Sequence, residues 1–386
     1  MKVPDGVTAP HPNQVCKLQK SLYGLKQANR QWNARLTTEL LALGYSQSSA
    51  DHSLFTKVSN GSFTALLVYV DDMVLTGNNL DEIQSVKNHL DHLFRIKDLG
   101  PLKFFLGLEI ARSQHGIVVN QRKYVLELLS DSGLLGARPA STPIEPTLRM
   151  CQDQGEIYDD PAVYRRLIGR LLYLANTRPD ISFTVQQLSQ FMARPMKAHY
   201  NAACRVLRYL KGSPAKGLFS PSQNHLTLTG FADADWATCP DTRRSTTGFC
   251  TFPGSALVSW KSKKQTTVSR SSAEAEYRAL ATLTCELQWL TYLLHDLHVD
   301  TPGPAMVYCD NQAAVHLARN PSFHERSKHI ELDCHVTREK ILNGLIRLMP
   351  ISTSQQIADM FTKGLHPAPF RTFMDKLGFR DIHLPT

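Results

Sequence analysis

The stretch Ala65 to Gly77, ALLVYVDDMVLTG, sets two adjacent carboxylates, Asp71 and Asp72, in the middle of an apolar strand pattern. Burying an uncompensated carboxylate forfeits much of its solvation, so the pair must either be exposed at a turn or be neutralised by cations. Neighbouring residues on a strand point to opposite faces, but at the tip of a tight hairpin both carboxylates can converge on one ion. A plain hairpin tip satisfies the same pattern, although Asp-Asp is a poorer two-residue turn than Asn-Gly or Asp-Gly.

A chain of 386 residues, 42% hydrophobic and 20% charged, has globular composition with room for two or three domains, so disorder is not expected. The net charge of +9 favours a polyanionic partner. Eight cysteines are scattered with no CxxC pair and no Cys/His zinc spacing, which suits free thiols in a reducing compartment. The N-terminus lacks an apolar signal core, and no stretch approaches the roughly eighteen apolar residues of a membrane helix. The expectation is a soluble intracellular protein, cytoplasmic or nuclear and not secreted, with no membrane partner.

Apolar residues at helical spacing (Trp32, Leu36, Leu40, Leu43) predict a helix from Leu25 to Leu43 that Gly44 terminates. Phe55 to Val58, the Asn60-Gly61 turn and Phe63 to Val70 predict a β-hairpin, and Asn79 is the expected N-cap of a helix from Leu80 to Phe94. FFLGLEI (Phe104 to Ile110) reads as one apolar strand leading to a turn at His115-Gly116. Five prolines and the polar run CQDQGEIYDD mark residues 137–161 as a linker. Three helical stretches follow, around Tyr164 to Ala175, Ile181 to Met192 and Lys197 to Lys211. The last unit, about Leu226 to Leu365, runs strand, strand, strand, long helix, strand, helix, helix, strand, helix. Its third strand is expected at Ala256 to Trp260, and the long helix at Ser271 to Leu297.

YVDD within LLVYVDDMVLTG, together with SLYGLKQANRQW, FFLGLEI, GFADADWA, SSAEAEYRAL, VYCDNQAA and IADMFTKGL in that order, resembles the Pol polyprotein of copia-type retrotransposons. The resemblance implies an α/β (α+β) chain: a partial reverse transcriptase, palm remainder and thumb-like, over residues 1–136; a linker and helical connection over 137–225; a ribonuclease H-like domain over 226–365; and a C-terminal tail over 366–386. It further implies that Asp71 and Asp72 hold metal in the palm, that FFLGLEI belongs to a primer-gripping hairpin, and that Gln27 and Arg30 lie beside nucleotide and template. For these last two, simple decoration of a helix start is an equal alternative.

Cleavage of a phosphodiester by water requires an activated nucleophile and a stabilised leaving oxygen, which two Mg²⁺ ions about 4 Å apart supply together. Hard oxygen ligands suit Mg²⁺, so several carboxylates must converge from separate elements. By resemblance to the ribonuclease H fold these are Asp233 on the first strand, Glu276 in the long helix, Asp310 after the fourth strand and Asp359 in IADMFTK. Asp233 is preferred to Asp235, and Glu276, three residues before the small Ala279, to Glu274. Cellular ribonucleases H carry a histidine in the loop before the fourth carboxylate, whereas this loop is MPISTSQQ, and His329 and His335 lie earlier. The expected partners are RNA/DNA hybrid and other nucleic acid, with basic residues such as Lys261, Lys263, Lys264 and the helical arginines on the phosphates, and other Pol chains.

Polymerases of this class place a further aspartate on a strand upstream of SLYGLKQ. The chain begins close to that motif, and its one earlier acid, Asp5 in VPDG, reads as a turn. The expectation is therefore an N-terminally truncated product with ribonuclease H activity but without polymerase activity of its own. A catalytically inactive nucleic-acid-binding relic and half of a split polymerase are the alternatives.

Overall fold

A computed structural model of the chain describes residues 2–381 except 9, 12, 20, 21, 23, 154 and 320–330. The chain divides into two compact units, one formed by residues up to Gly100 with His295–His298, the other by Pro101–Leu294 and the residues from Val299 onward.

In the first unit, helix α1 (Ala28–Ala42) is followed by strands β1 (Ser46–Gln47), β2 (Leu54–Ser59), β3 (Ser62–Tyr69) and β4 (Asp72–Gly77), then helix α2 (Leu80–Phe94). The strands form one antiparallel sheet in sequence order. Asn60 and Gly61 both have positive φ, at 52° and 77°, as the tight turn between β2 and β3 requires. Asn79 caps α2 through its side chain, which accepts from the backbone N–H groups of Asp81 and Glu82. Leu36 and Leu40 of α1 and Val86 and Leu90 of α2 bury their apolar stripes against Phe55, Leu66 and Val68 of the sheet.

The second unit contains two five-stranded sheets. Strands β5 (Phe104–Phe105), β6 (Leu108–Ser113) and β7 (Gly116–Asn120) form an antiparallel ribbon, after which come helices α3 (Arg122–Asp131), α4 (Pro161–Leu174), α5 (Ser182–Ser189) and α6 (Lys197–Lys211) and strand β8 (Lys216–Pro221). Next are β9 (Leu228–Ala234), β10 (Thr246–Pro253), β11 (Ser259–Lys264), the long helix α7 (Ser272–Asp296), β12 (Ala305–Cys309), α8 (Gln312–Arg319), α9 (Glu331–Leu342) and β13 (Ile346–Pro350). A 3₁₀ segment Ile357–Phe361, helix α10 (Pro367–Lys376) and β14 (Phe379–Asp381) are the last elements among the described residues. The second sheet has the order β11-β10-β9-β12-β13, antiparallel across β11-β10-β9 and parallel across β9-β12-β13. This mixed α/β arrangement is the one the ribonuclease H resemblance leads one to expect.

Several details differ from the sequence expectations. FFLGLEI is not one strand: Leu106 (φ 51°) and Gly107 (φ 77°) turn the chain, so that Phe105 pairs with Leu108 and Phe104 is left 65% exposed. Tyr173 Oη donates to Leu106 O at 2.5 Å, holding a leucine where the turn favours Asn or Gly. The third strand begins at Ser259 rather than Ala256, because Gly254 (φ 65°) starts a turn that extends past β10. Asp359 sits in a 3₁₀ turn rather than a late α-helix.

Packing does not break at residue 137. Val125, Leu128 and Leu129 of α3 share one core with Tyr164, Ile168 and Leu171 of α4, Val206 and Leu210 of α6, and Phe252, Phe361 and Phe370 from far along the chain. Residues after 366 supply Phe370, Phe373 and Met374 to that core, and β14 pairs with β8 in the first sheet. Within the unit, Arg178 is fully buried and forks onto Asp180 through Nε (3.0 Å) and Nη2 (2.7 Å), while its Nη1 donates to Ser213 O and Tyr209 Oη donates to Asp180 at 2.6 Å.

Candidate metal-binding acid cluster

Asp233 lies near the end of β9, paired in register with Gly248 of β10. A Cβ at Gly248 would meet Thr362 Cγ2 at 2.6 Å, Phe361 Cβ at 2.8 Å and Ala358 O at 3.0 Å. The missing side chain thus lets the Ile357–Phe361 turn lie flat on the sheet and carries Asp359 to Asp233. Gln356 Nε2 anchors the same turn by donating to Ala232 O at 2.9 Å. Thr362 Oγ1 donates to Asp233 Oδ2. Lys363 Nζ stands 2.9 Å from Asp359 Oδ1 and 3.9 Å from Asp233 Oδ2.

Glu276 enters from the start of α7, where Ser271 Oγ accepts from Glu274 N at 3.2 Å and Ala275 and Ala279 pack without exposure against the sheet. Asp310 follows the last residue of β12, and its Oδ2 accepts from Thr353 Oγ1 at 2.8 Å. Ligand atoms of Glu276, Cys309 and Asp310 lie within 4.8 Å of one another. The structure thus brings Asp233 and Asp359 together through Lys363 and Glu276 together with Asp310, with the charge of Asp233 felt at both Glu276 and Asp359; Asp233, Glu276 and Asp359 are each no more than 6% exposed.

Crowding of this kind shows in the protonation of the group. Burial, then the charges of Asp233 and Asp310, push the Glu276 carboxyl far above the usual carboxylate range. Burial and the charge of Asp233 raise Asp359, with Lys363 partly offsetting them. Lys363 is itself raised: burial works against its charge, but Asp233 and Asp359 outweigh it. Burial pushes the Cys309 thiol well up, so it stays neutral and poorly suited to a hard cation.

Competing acids are committed elsewhere. Asp235 accepts from Thr246 N and Thr238 Oγ1, tying down the loop after β9. Glu274 accepts from Arg270 N at 2.7 Å and pairs with Arg278 at 2.9 Å within its own helix. By contrast, Glu276 Oε2 and Asp310 Oδ1 have neither a hydrogen bond nor an ion pair among the described residues, whereas Asp359 Oδ1, also without a hydrogen bond, faces Lys363 Nζ. Two unpaired carboxylate oxygens in an all-oxygen acid cluster fit a divalent hard cation such as Mg²⁺.

The remaining sequence candidates sit on other elements. Asp71 and Asp72 are exposed at the turn between β3 and β4, where Val70 takes the positive φ of 51°. They form no group of three or more Asp, Glu, His or Cys ligand atoms among the described residues. Gln27 and Arg30 are exposed at the start of α1. His335 is exposed on α9, and His329 lies outside the described residues.

Several of the basic residues expected on the phosphates, and Lys211 beside them, make contacts within the chain. Arg170 pairs with Asp131 and Arg205 with Glu145, while Arg165, Arg208 and Lys211 donate to backbone carbonyls. Lys264 Nζ donates to Gln190 Oε1 at 2.9 Å and Cys239 Sγ at 2.8 Å. Lys263 is exposed, and Lys261 lies over the Phe249 ring at 5.8 Å. Lys363 was not singled out in the sequence, where its only local signal is the spacing of four from Asp359.

Residues 1–146 match the family model described as reverse transcriptase (RNA-dependent DNA polymerase). The retrovirus-related Pol polyprotein from transposon RE1 of Arabidopsis thaliana is 42% identical over 98% of this chain, and this chain spans 26% of that protein's length. The putative transposon Ty5-1 protein of Saccharomyces cerevisiae is 34% identical over 72% of this chain and 91% of its own. Among solved structures, an RNase H1 isolated from compost by a metagenomic approach is similar over 36% of this chain and 93% of its own, at 14% identity and a TM-score of 0.28. A foamy viral protease-reverse transcriptase in complex with RNA/DNA hybrid is similar over 86% of this chain and 39% of its own, at 12% identity and a TM-score of 0.45. Among the described residues no helix is long and apolar enough to cross a membrane. Identity of this extent, running across nearly the whole chain, places it in the Pol polyprotein family of copia-type retrotransposons.

Proposed function

We propose that this chain hydrolyses the RNA strand of RNA/DNA hybrids at the cluster of Asp233, Glu276, Asp310 and Asp359. The observation that carries this reading is the pair of unpaired oxygens, Glu276 Oε2 and Asp310 Oδ1, in a cluster where burial and neighbouring charge raise the carboxyls of Glu276 and Asp359. The four side chains would hold Mg²⁺, which when bound activates water as the nucleophile and stabilises the departing oxygen. What the chain itself supplies is orientation. Thr362 aims Asp233, Thr353 aims Asp310, the Ile357–Phe361 turn anchored by Gln356 carries Asp359, and the first turns of α7 present Glu276. Loop residues 349–356 contain no histidine, so proton transfer from that loop is not part of this reading.

Net charge of +9 and the exposed Lys263 favour a polyanionic substrate, and eight free thiols fit an intracellular, reducing setting. Cleavage of a labelled hybrid by the purified chain with Mg²⁺ and with EDTA is the test. Asp310→Asn is expected to lower the rate by orders of magnitude while the circular dichroism spectrum is unchanged. Undiminished cleavage by that variant overturns the assignment.

Primer extension by this chain alone is not expected, because Asp71 and Asp72 have no third ligand among the described residues and the metal activating a primer hydroxyl needs one. Other Pol chains would then have to complete that site. Template-dependent incorporation of nucleotide by the chain alone, lost on Asp71→Asn, would overturn this and point first to Asp5.

A further inference from the structure

Charge is distributed unevenly within the acid cluster. Asp233 and Asp359 share an ammonium, Lys363 Nζ, at 3.9 Å and 2.9 Å, whereas Glu276 Oε2 and Asp310 Oδ1 have no partner among the described residues. Lys363 is placed there by backbone geometry: its N–H donates to Asp359 O at 3.1 Å, closing the turn that folds its side chain back over the carboxylate. That side chain keeps 43% of its surface in solvent, so the ammonium can leave the carboxylates without unpacking the core. Its stem is long and its head is a compact, strongly hydrated point charge, which suits a cation that comes and goes.

We infer that Lys363 is a resident counter-cation that occupies the Asp233 and Asp359 side of the cluster and competes there with divalent metal. It is a positioning residue that sets how readily this side accepts a metal, and the inference rests on the reading of the cluster as a metal site. While the ammonium is in place it neutralises two buried carboxylates that would otherwise repel each other. To admit a dication at the same oxygens it must swing outward, since two positive centres cannot share them in a poorly solvated site.

Mg²⁺ titration of the full chain without substrate, read by thermal unfolding and by calorimetry, tests this. Lys363→Met is expected to lower stability in EDTA yet to bring the half-saturating Mg²⁺ concentration down by about tenfold, through removal of a competing charge. Lys363→Gln should show the same shift, which covers the case in which the methionine fails to fold, and Lys363→Arg should restore weak binding. A lysine that merely anchors Asp359 gives the opposite: both neutral variants would bind Mg²⁺ as weakly as the parent or more weakly, and that result overturns the inference. If Mg²⁺ does not bind the parent chain at all, the metal-site reading falls with it. Binding by the parent that is unchanged by the neutral variants removes only the role given to Lys363.

Discussion

Glu276→Gln separates a site built for cations from one held together by its own hydrogen bonds. The substitution keeps shape and an acceptor oxygen but removes one charge from a residue that is 6% exposed. With ligand atoms of Glu276 and Asp310 within 4.8 Å, two full charges repel by about 3 kcal/mol at an effective dielectric constant of about 20. Taking up a proton at pH 7, against the ordinary glutamate value, costs about the same, so roughly 3 kcal/mol is the ceiling on what the neutral amide can recover. Part of this is lost because the amide's second group must find a partner, leaving an expected gain of about 1–2 kcal/mol in EDTA, or roughly 3–6 °C for a unit of this size. Because the folded carboxyl is raised, its penalty grows as pH rises above the usual glutamate range, so the metal-free parent should lose stability toward neutral pH more steeply than the variant.

Mg²⁺ should reverse the ranking. A ligand at a hundred times its dissociation constant adds about 2.7 kcal/mol to the parent, and the variant, lacking a ligand oxygen of full charge, should keep little of that. Urea and thermal unfolding of both proteins, each with EDTA and with saturating Mg²⁺, supplies the four numbers needed. A variant that is less stable than the parent in EDTA, with the same Mg²⁺ response, would refute the argument and make Glu276 an ordinary structural acid.

Gly248→Ala should displace the Ile357–Phe361 turn, since the new methyl would overlap backbone and side-chain atoms at 2.6–3.0 Å; hybrid cleavage is expected to fall by at least about tenfold with a stability loss of about 1–3 kcal/mol, and parent-like cleavage would show that the turn does not position Asp359. Arg178→Met breaks a buried pair and should cost about 3–5 kcal/mol in urea unfolding, an outcome contradicted by a change below about 1 kcal/mol. Burial raises Asp180 but the Arg178 charge and hydrogen bonds outweigh it and hold the carboxyl low, so this contribution is present above the ordinary aspartate range and disappears as pH falls through the lowered folded value. Hybrid affinity should weaken steeply with salt, with Lys263→Gln reducing the slope by about one unit and Lys264→Gln, whose ammonium is already committed, leaving it unchanged.

Local chemistry was readable from the sequence to the extent that it is enforced locally. The Asn60-Gly61 turn, the Asn79 cap and the helix from Leu80 to Phe94 follow from residues within one or two turns of each other, and the structure places them where the pattern does. FFLGLEI departs from its pattern for the converse reason. Nothing in Leu106-Gly107 announces a tight turn, and the hydroxyl that holds Leu106 in a left-handed conformation belongs to Tyr173, on a helix beyond the supposed linker. The linker reading itself used composition, whereas the core draws Val125, Phe252 and Phe370 together across any such boundary.

The acid cluster divides along the same line. Its four carboxylates came from the resemblance to the ribonuclease H fold, which assigns each a place in its own element, and the structure has them at a strand end, a helix start, the residue after a strand and a short turn. The balance of charge could not be located, because it depends on which cations reach the cluster from elsewhere. Composition suggests a basic surface, and Arg165, Arg170, Arg205, Arg208, Lys211 and Lys264 on it make contacts with carbonyls, acids and a thiol of the same chain. Lys363, which does enter the cluster, pairs with Asp233 across more than a hundred residues, and it can do so because Gly248 lets its turn close onto the sheet. A glycine with no catalytic chemistry thus governs both the fourth carboxylate and its counter-cation, which is why Gly248→Ala should disturb metal binding even though no ligand atom is removed.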